Sequence, residues 1–150
     1  MSDFKRKQLP HGVPNWVEDG AVYFITINCL QRGKNQLADK KTSSAIFSAF
    51  RHYETLGKWH VRLCLLMPDH LHALISFNTR QHPMSRSIQS LKGFLAKEVG
   101  IKWQKNYFDH RLRNDEALEE KAQYIRLNPV RAGLAKDPQA WPFIIGTELW

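Results

Sequence analysis

The triplet His70-Leu71-His72 contains two side chains that are able to bind a metal ion. It stands at the start of an apolar segment typical of a β-strand, and side chains alternate between the two faces of a strand. The two histidines therefore share one face, where neighbouring imidazoles are able to bind one divalent ion. The alternative is that such a triplet arises by chance and that one ring only hydrogen-bonds to a neighbour. The triplet alone leaves both interpretations open.

Tyr124 and Asn128 form a second candidate pair, four residues apart on a predicted helix and therefore one turn from each other. A tyrosine hydroxyl that attacks a phosphate needs a nearby cation to offset the charge that develops on the phosphoryl oxygens. The carbonyl oxygen of Asn128 offers a third metal ligand beside the histidines. The alternative is structural: Tyr124 packs on the core face with Leu118 and Ile125, and Asn128 only ends the helix before Pro129.

The elements that would position these residues follow the order β-α-β-β-α-β. Runs of β-branched and aromatic residues predict strands, and apolar residues spaced three and four apart predict helices. The predicted strands are 21–28, 59–67, 71–77 and 107–112, and the predicted helices are 42–56 and 88–99. This order predicts an α+β, ferredoxin-like fold (the split βαβ), with helices on one face of an antiparallel sheet and the other face open to a substrate. A third helix, added at the C-terminal side, begins at Asn114 or Asp115, ends near Asn128 and carries the tyrosine.

The composition suits one domain over residues 1–150, since 150 residues with 43% hydrophobic content bury a single ordinary core. Residues 1–20 combine prolines and glycines with basic residues and are predicted to form an irregular basic N-terminal arm. No stretch is typical of a signal peptide or a membrane helix, so we expect a cytoplasmic protein that does not bind membranes. Cys29 and Cys64 are predicted to be small buried side chains without a chemical role.

The charge balance favours a polyanionic partner, nucleic acid first among them. Lysine and arginine number 22 against 14 acidic residues, a formal net charge of +8. Each basic residue alone also suits an ordinary solvated surface, and each tryptophan suits either core packing or base stacking. The candidates for phosphate contacts are Arg6, Lys7, Arg32, Lys34, Lys92, Arg111, Arg113, Arg126 and Arg131, and the candidates for stacking are Trp59, Trp103 and Trp141.

Two segments taken together resemble the Y1 HUH transposases, which use a single tyrosine, and especially the REP-associated tyrosine transposases. One is Leu66 to Ile75, which contains the histidine triplet, and the other is Tyr124 to Leu134, which reads YIRLNPVRAGL. The segments 7–11, 22–26, 108–113 and 141–143 are similar to the same family, so the resemblance covers nearly the whole chain.

The resemblance implies a DNA strand-cleaving and strand-joining enzyme. In such a protein His70 and His72 hold Mg²⁺ or Mn²⁺, Asn128 is the helper ligand, and Tyr124 is the nucleophile. The implied activity is that of a single-strand DNA endonuclease and transposase, which cleaves and rejoins hairpin-bearing DNA through a 5'-phosphotyrosine intermediate. Insertion-sequence members commonly carry glutamine at the position of Asn128, whereas REP-associated members carry asparagine. Family members act as dimers or as monomers, so a homodimer remains open.

Three other functions are compatible with parts of the pattern. A catalytically idle, repurposed module of the same fold would bind nucleic acid without cutting it. A simple metallohydrolase using His70, His72 and an acid such as Asp69 would cleave without forming a protein adduct. An RNA-recognition module shares the topology, but the strands lack the basic-glycine-aromatic signature whose rings stack on bases.

Overall fold

The computed structural model describes residues 21–113 and 115–146, and these form a five-stranded antiparallel sheet with helices on both of its faces. The strands are β1 (Tyr23–Asn28), β2 (Trp59–Leu66), β3 (His70–Phe77), β4 (Phe108–Arg111) and β5 (Ile144–Ile145). The helices are α1 (Lys40–Thr55), α2 (Met84–Val99), α3 (Asp115–Arg126) and the short α4 (Asn128–Arg131), and a 3-10 turn covers Pro138–Ala140.

The strand order across the sheet is β4-β1-β3-β2-β5, and every neighbouring pair is antiparallel. The predicted α+β fold and its element order are confirmed, with helix and strand ends displaced by a few residues. α1 begins at Lys40 because the carboxylate of Asp39 accepts a hydrogen bond from the backbone N–H of Thr42. α2 ends at Gly100, whose φ of 79° is the left-handed conformation that commonly closes helices. β5, which the sequence analysis did not predict, is added at the free edge of β2.

One face of the sheet, here called the α1/α2 face, is covered by helices α1 and α2. Alternate residues of β1 and β3, such as Ile25, Ile27 and Leu71, are buried there against Phe50 of α1. Trp59 is 1% exposed on this face, and its indole N–H donates to the carbonyl of Phe50. The stacking role considered for Trp59 is therefore wrong, because its ring belongs to the core.

The opposite face, here called the α3 face, is not fully open, and the prediction that it would be is wrong. Leu118, Ala122 and Ile125 of α3 are buried against it, together with Phe24 and Leu74 of the sheet. The reason is hydrophobic burial: the strands also present apolar side chains on this face, and an amphipathic helix removes them from water. The histidines lie on this same face, beside the part that α3 covers.

The prediction that Tyr124 and Asn128 share one continuous helix is also wrong. α3 ends at Arg126, the chain turns at Leu127, and α4 begins at Asn128. Pro129 explains the break, because proline has no N–H to donate and its ring crowds the carbonyl one turn earlier.

The predicted arm, residues 1–20, lies outside the described residues, and so do its candidates Arg6 and Lys7. In the part of the chain that the structure describes, no helix has the length and apolar character needed to cross a membrane.

Candidate active site

The two histidines lie side by side on the α3 face of β3. In the strand pairing with β1, His70 lies opposite Asn28 and His72 lies opposite Thr26. The centroids of the two imidazole rings are 4.8 Å apart and the ring planes are 75° from parallel. The prediction that both rings share one face is confirmed.

His70 is held by the carboxylate of Asp69. The ring Nδ1 lies 2.7 Å from Oδ1 of Asp69, while Oδ2 accepts from the backbone N–H of Gly33 at 2.7 Å and pairs with Nε of Arg32 at 3.4 Å. Burial acts to raise the pKa of Asp69, but the hydrogen bonds from Gly33 and His70 and the charge of Arg32 outweigh it and lower that pKa. Asp69 thus remains a carboxylate whose two oxygens are both engaged by protein groups.

His72 is held in the same way by a hydroxyl group. Its Nδ1 lies 2.9 Å from Oγ1 of Thr26, and the residue is only 9% exposed. Burial is the largest cause that lowers the pKa of His72 to about 3, and the nearby charges of His70, Lys121 and Arg131 lower it further. His72 is therefore neutral at physiological pH, the state in which imidazole is a metal ligand.

Both rings use Nδ1 for a protein partner, which leaves Nε2 of each ring to face a ligand. An outer partner on Nδ1, such as a carboxylate, is the usual arrangement of metal-binding histidines, because it fixes the ring orientation and the position of the proton. The alternative considered for the triplet, in which a ring hydrogen-bonds to a neighbouring residue, is thus observed for both rings. It does not compete with metal binding, because it concerns the other nitrogen.

Tyr124 lies on α3 with its side chain 50% exposed. Leu118, Ala122 and Ile125 of the same helix are buried, so the face that packs on the sheet is a different one. The structural alternative, in which Tyr124 joins the core face, is therefore wrong.

Two cations surround the Tyr124 ring and connect it to the histidines. The guanidinium carbon of Arg131 lies 4.1 Å from the ring centroid, and the ammonium of Lys121 lies 5.0 Å from it. The same ammonium lies 4.8 Å from the ring of Phe24, which is itself 5.2 Å from the ring of His72. Arg131 also donates to the carbonyl of Tyr124 near the end of α3. Through Lys121 and Phe24, a chain of ring contacts leads from Tyr124 to His72 on the α3 face.

A pocket of about 470 Å³ opens beside Tyr124, between β4 and α3. Its lining combines apolar side chains with charged and polar groups. The lining residues are His110, Leu112, Arg113, Ala117, Glu120, Lys121 and Tyr124.

The predicted phosphate contacts separate into different groups. Arg113 and Arg131 lie at Tyr124, Arg32 lies beside Asp69, Lys34 is exposed in the loop after β1, and Arg126 is half-buried at the end of α3. Arg111 is exposed on β4 but pairs in register with Tyr23, whose ring packs on the core of the α1/α2 face. Opposite residues of paired strands share a face, so Arg111 projects away from the histidines.

Lys92 does not occupy the position expected of a DNA contact. It is 5% exposed, and its ammonium donates to the carbonyls of Gln104 and Lys105 at 2.8 and 2.9 Å. Its role in the fold is to tie the segment before β4 to helix α2. We therefore remove Lys92 from the candidate DNA-binding residues.

Within residues 21–113 and 115–146, no three histidine, cysteine, aspartate or glutamate side chains converge as a metal site would require. Metal binding at the histidine pair would therefore need an amide, water or DNA oxygen as a further ligand. Asn128 is half-buried at the start of α4, and its predicted role as that ligand remains a prediction. Cys29 and Cys64 are free and buried, and burial raises the pKa of Cys29 to about 11.

The sequence analysis did not identify three residues that lie at the site: Lys121, Thr26 and Phe24. Lys121 had a usable signal, because it precedes Tyr124 by three residues and so lies near it on the helix surface. Thr26 and Phe24 had none, since their proximity to His72 depends on how β1 pairs with β3.

No family model matches the chain. It is 30% identical over 145 residues to a Haemophilus influenzae protein assigned as a REP-associated tyrosine transposase, an alignment covering 83% of this chain and 78% of that one. It is 25% identical over 149 residues to the REP-associated tyrosine transposase of Escherichia coli, covering 95% and 81%. The fold matches a solved REP-associated tyrosine transposase bound to a REP hairpin, with a TM-score of 0.69, 23% identity and coverage of 96% and 82%. The chain therefore belongs to the REP-associated tyrosine transposases, a family of single-tyrosine transposases.

Proposed function

We propose that this transposase is a metal-dependent endonuclease that cleaves and rejoins hairpin-bearing single-stranded DNA, with Tyr124 as nucleophile. The observation that carries the proposal is the exposed Tyr124 ring, which has Arg131 at 4.1 Å and Lys121 at 5.0 Å from its centroid, on the sheet face that carries both histidines. A half-exposed tyrosine close to two cations suits an attack on an anionic substrate.

The proposed step is a transesterification at a DNA phosphate. The Tyr124 oxygen loses its proton and forms a bond to phosphorus, the bond from phosphorus to the 3' oxygen breaks, and that oxygen takes up a proton. The products are a 5'-phosphotyrosine and a free 3'-hydroxyl, and attack by a 3'-hydroxyl reverses the step. Lys121 and Arg131 are placed to offset the charge that develops on the phosphoryl oxygens.

The histidine pair fits a divalent ion such as Mg²⁺ or Mn²⁺. His70 and His72 present Nε2 while Asp69 and Thr26 fix their orientation through Nδ1, and we assign Asn128 as the further protein ligand. A bound divalent ion would polarise a phosphoryl oxygen and position the phosphate. The chain's own contribution is to keep His72 neutral and both rings fixed.

The proposed substrate is a DNA hairpin with unpaired flanks. It is supported by the solved relative, which is bound to a REP hairpin, and by the net charge of +8. Arg32, Arg113 and Arg131 lie around the site and are proposed to contact phosphates.

A metallohydrolase that uses Asp69 as an acid or metal ligand is less well supported. Both oxygens of Asp69 are already engaged by His70, Gly33 and Arg32, so the carboxylate supports the ring instead of facing the substrate. An idle nucleic-acid-binding module would leave the exposed tyrosine and the two oriented imidazoles without a use.

The test is to incubate the protein with Mn²⁺ and labelled single-stranded oligonucleotides that contain a hairpin from repeats near its gene. A denaturing gel is expected to show a covalent protein-DNA adduct that disappears with EDTA and with Tyr124→Phe. The matched control is Tyr107→Phe, a half-buried tyrosine that packs on the α1/α2 face, which should leave the adduct unchanged. Cleavage without an adduct would support a hydrolase, and binding without cleavage would support the idle module.

A further inference from the structure

Phe108 is an exposed aromatic residue that does not pack in the hydrophobic core. Its side chain is 61% exposed on β4, the edge strand of the sheet, next to β1. Among the described residues it belongs to neither of the two buried clusters and makes no ring contact. The ring is therefore available to a ligand, and covering it would remove apolar surface from water.

The strand register places Phe108 in line with the histidine pair. Phe108 lies opposite Thr26 of β1, and Thr26 lies opposite His72 of β3. Opposite residues project to the same face, so these three side chains form one row across three strands on the α3 face. With neighbouring strands about 4.8 Å apart, the backbone of Phe108 is about 10 Å from that of His72.

The next row on the same face leads to the tyrosine. His110, two residues after Phe108, lies opposite Phe24 and lines the pocket that also contains Arg113, Lys121 and Tyr124. The face of β4 that carries Phe108 therefore borders the tyrosine on one side and the histidines on the other. The acidic neighbour Asp109 pairs with the buried Ile25 and so projects to the α1/α2 face, away from an incoming phosphate.

We propose that Phe108 is the stacking platform for one unpaired base beside the phosphate that Tyr124 attacks. This inference rests on the proposed function and adds a positioning residue to it. An unpaired base is the occupant that the surroundings favour, because the ring is flat and apolar. His110, on the same face of β4, lines a pocket that contains the cations Arg113 and Lys121 together with Glu120, and these cations match a base attached to phosphates. Stacking on Phe108 would orient the backbone and hold the scissile phosphate near the nucleophile.

The experiment uses 2-aminopurine, whose fluorescence falls when it stacks, placed in turn at each unpaired position flanking a DNA hairpin. Binding is measured in a Tyr124→Phe background, so that cleavage does not interfere. We expect one position to be quenched, the quenching to be lost with Phe108→Ala and retained with Phe108→Trp, and affinity for flanked hairpins to fall by about 5- to 100-fold with Phe108→Ala. Affinity for the hairpin without flanks should not change.

The matched control is Phe94→Ala, which removes another exposed phenylalanine, 46% exposed on α2 on the far side of the sheet. Unchanged quenching and affinity in Phe108→Ala would overturn the proposal, as would a change in sedimentation that identifies Phe108 as a contact between subunits. An adduct with Tyr124 but no effect of Phe108→Ala would overturn only the stacking role. Quenching that depends on Phe108 without any adduct would support the stacking and overturn the proposed cleavage.

Discussion

At the scale of single residues, the hydrogen bonds of Nδ1 define the two histidines, because they fix the orientation of each ring. His70 and His72 have different partners, a carboxylate and a hydroxyl, so their electrostatic surroundings differ. Asp69 provides a negative charge beside His70, whereas His72 lies in a more buried position near Lys121. The two rings are therefore not equivalent, and changes in their partners should have separate effects.

Replacing Asp69 by asparagine tests the supporting role of the carboxylate. Asp69→Asn keeps the side-chain shape but removes the charge that orients His70, so we expect Mn²⁺ affinity and adduct formation to fall by about 10- to 100-fold. Isothermal titration calorimetry measures the Mn²⁺ affinity independently of activity. Asp109→Asn, an exposed aspartate facing away from the site, is the control and should behave as wild type.

Two outcomes would contradict this role of Asp69. Wild-type Mn²⁺ affinity in Asp69→Asn would mean that the carboxylate does not support a metal site. A loss as complete as that in His70→Ala would indicate that Asp69 is itself a ligand.

The geometry of the histidine pair was predictable at this scale, but the partners of the two rings were not. The shared face of His70 and His72 follows from strand alternation alone, and it was predicted correctly. The partnership of His72 with Thr26 depends on which residues of β1 and β3 pair. These strands are separated in sequence by α1 and β2, so no hairpin turn fixes their register. The exposure of Tyr124 depends on which side of α3 packs on the sheet, and the sequence left both possibilities open.

At the scale of elements, hydrophobic periodicity predicted four strands and two helices near their observed positions, because each period is a local property. The arrangement of α3 on the second face is a property of packing between distant segments, and it was missed. The end of the third helix was predicted near Asn128 and lies at Arg126, because Pro129 marks the region but not the residue at which the helix ends; α4 after it was not predicted.

Lys92 gives a prediction at this scale, because it links two elements. Lys92→Met removes two hydrogen bonds to backbone carbonyls before β4, and we expect the free energy of unfolding to fall by about 1–2 kcal/mol. Urea denaturation measures this change. Lys97→Met on the same helix removes an exposed lysine and should change stability by less than about 0.5 kcal/mol.

DNA affinity is the second measurement on the same pair of variants. Without urea, the folded Lys92→Met variant should bind a hairpin oligonucleotide as well as wild type does, because the ammonium of Lys92 in the wild-type protein points into the fold. A selective loss of DNA affinity in Lys92→Met, with stability unchanged, would restore Lys92 as a DNA contact.

At the scale of the whole molecule, the sheet separates two sets of positive charge. The net charge of +8 attracts DNA to any part of the surface, but only the α3 face offers the tyrosine and the histidines. Attraction by total charge and contact at the site are different contributions. They are distinguishable by experiment because Arg111 of β4 projects to the α1/α2 face, whereas Arg113, two residues later, lines the pocket beside Tyr124.

Arg113 and Arg111 allow that distinction with a pair of variants of equal charge. Arg113 lines the pocket beside Tyr124, whereas Arg111 projects to the α1/α2 face. Arg113→Ala should weaken hairpin binding and reduce the slope of log affinity against log salt by about 0.7 to 1, the value for one lost phosphate contact. Arg111→Ala should leave the slope unchanged, although it removes the same charge from the molecule. Binding is measured by fluorescence anisotropy across a salt series in the Tyr124→Phe background. Equal effects of the two substitutions would mean that DNA responds to the net charge of the molecule and not to the face that carries the tyrosine.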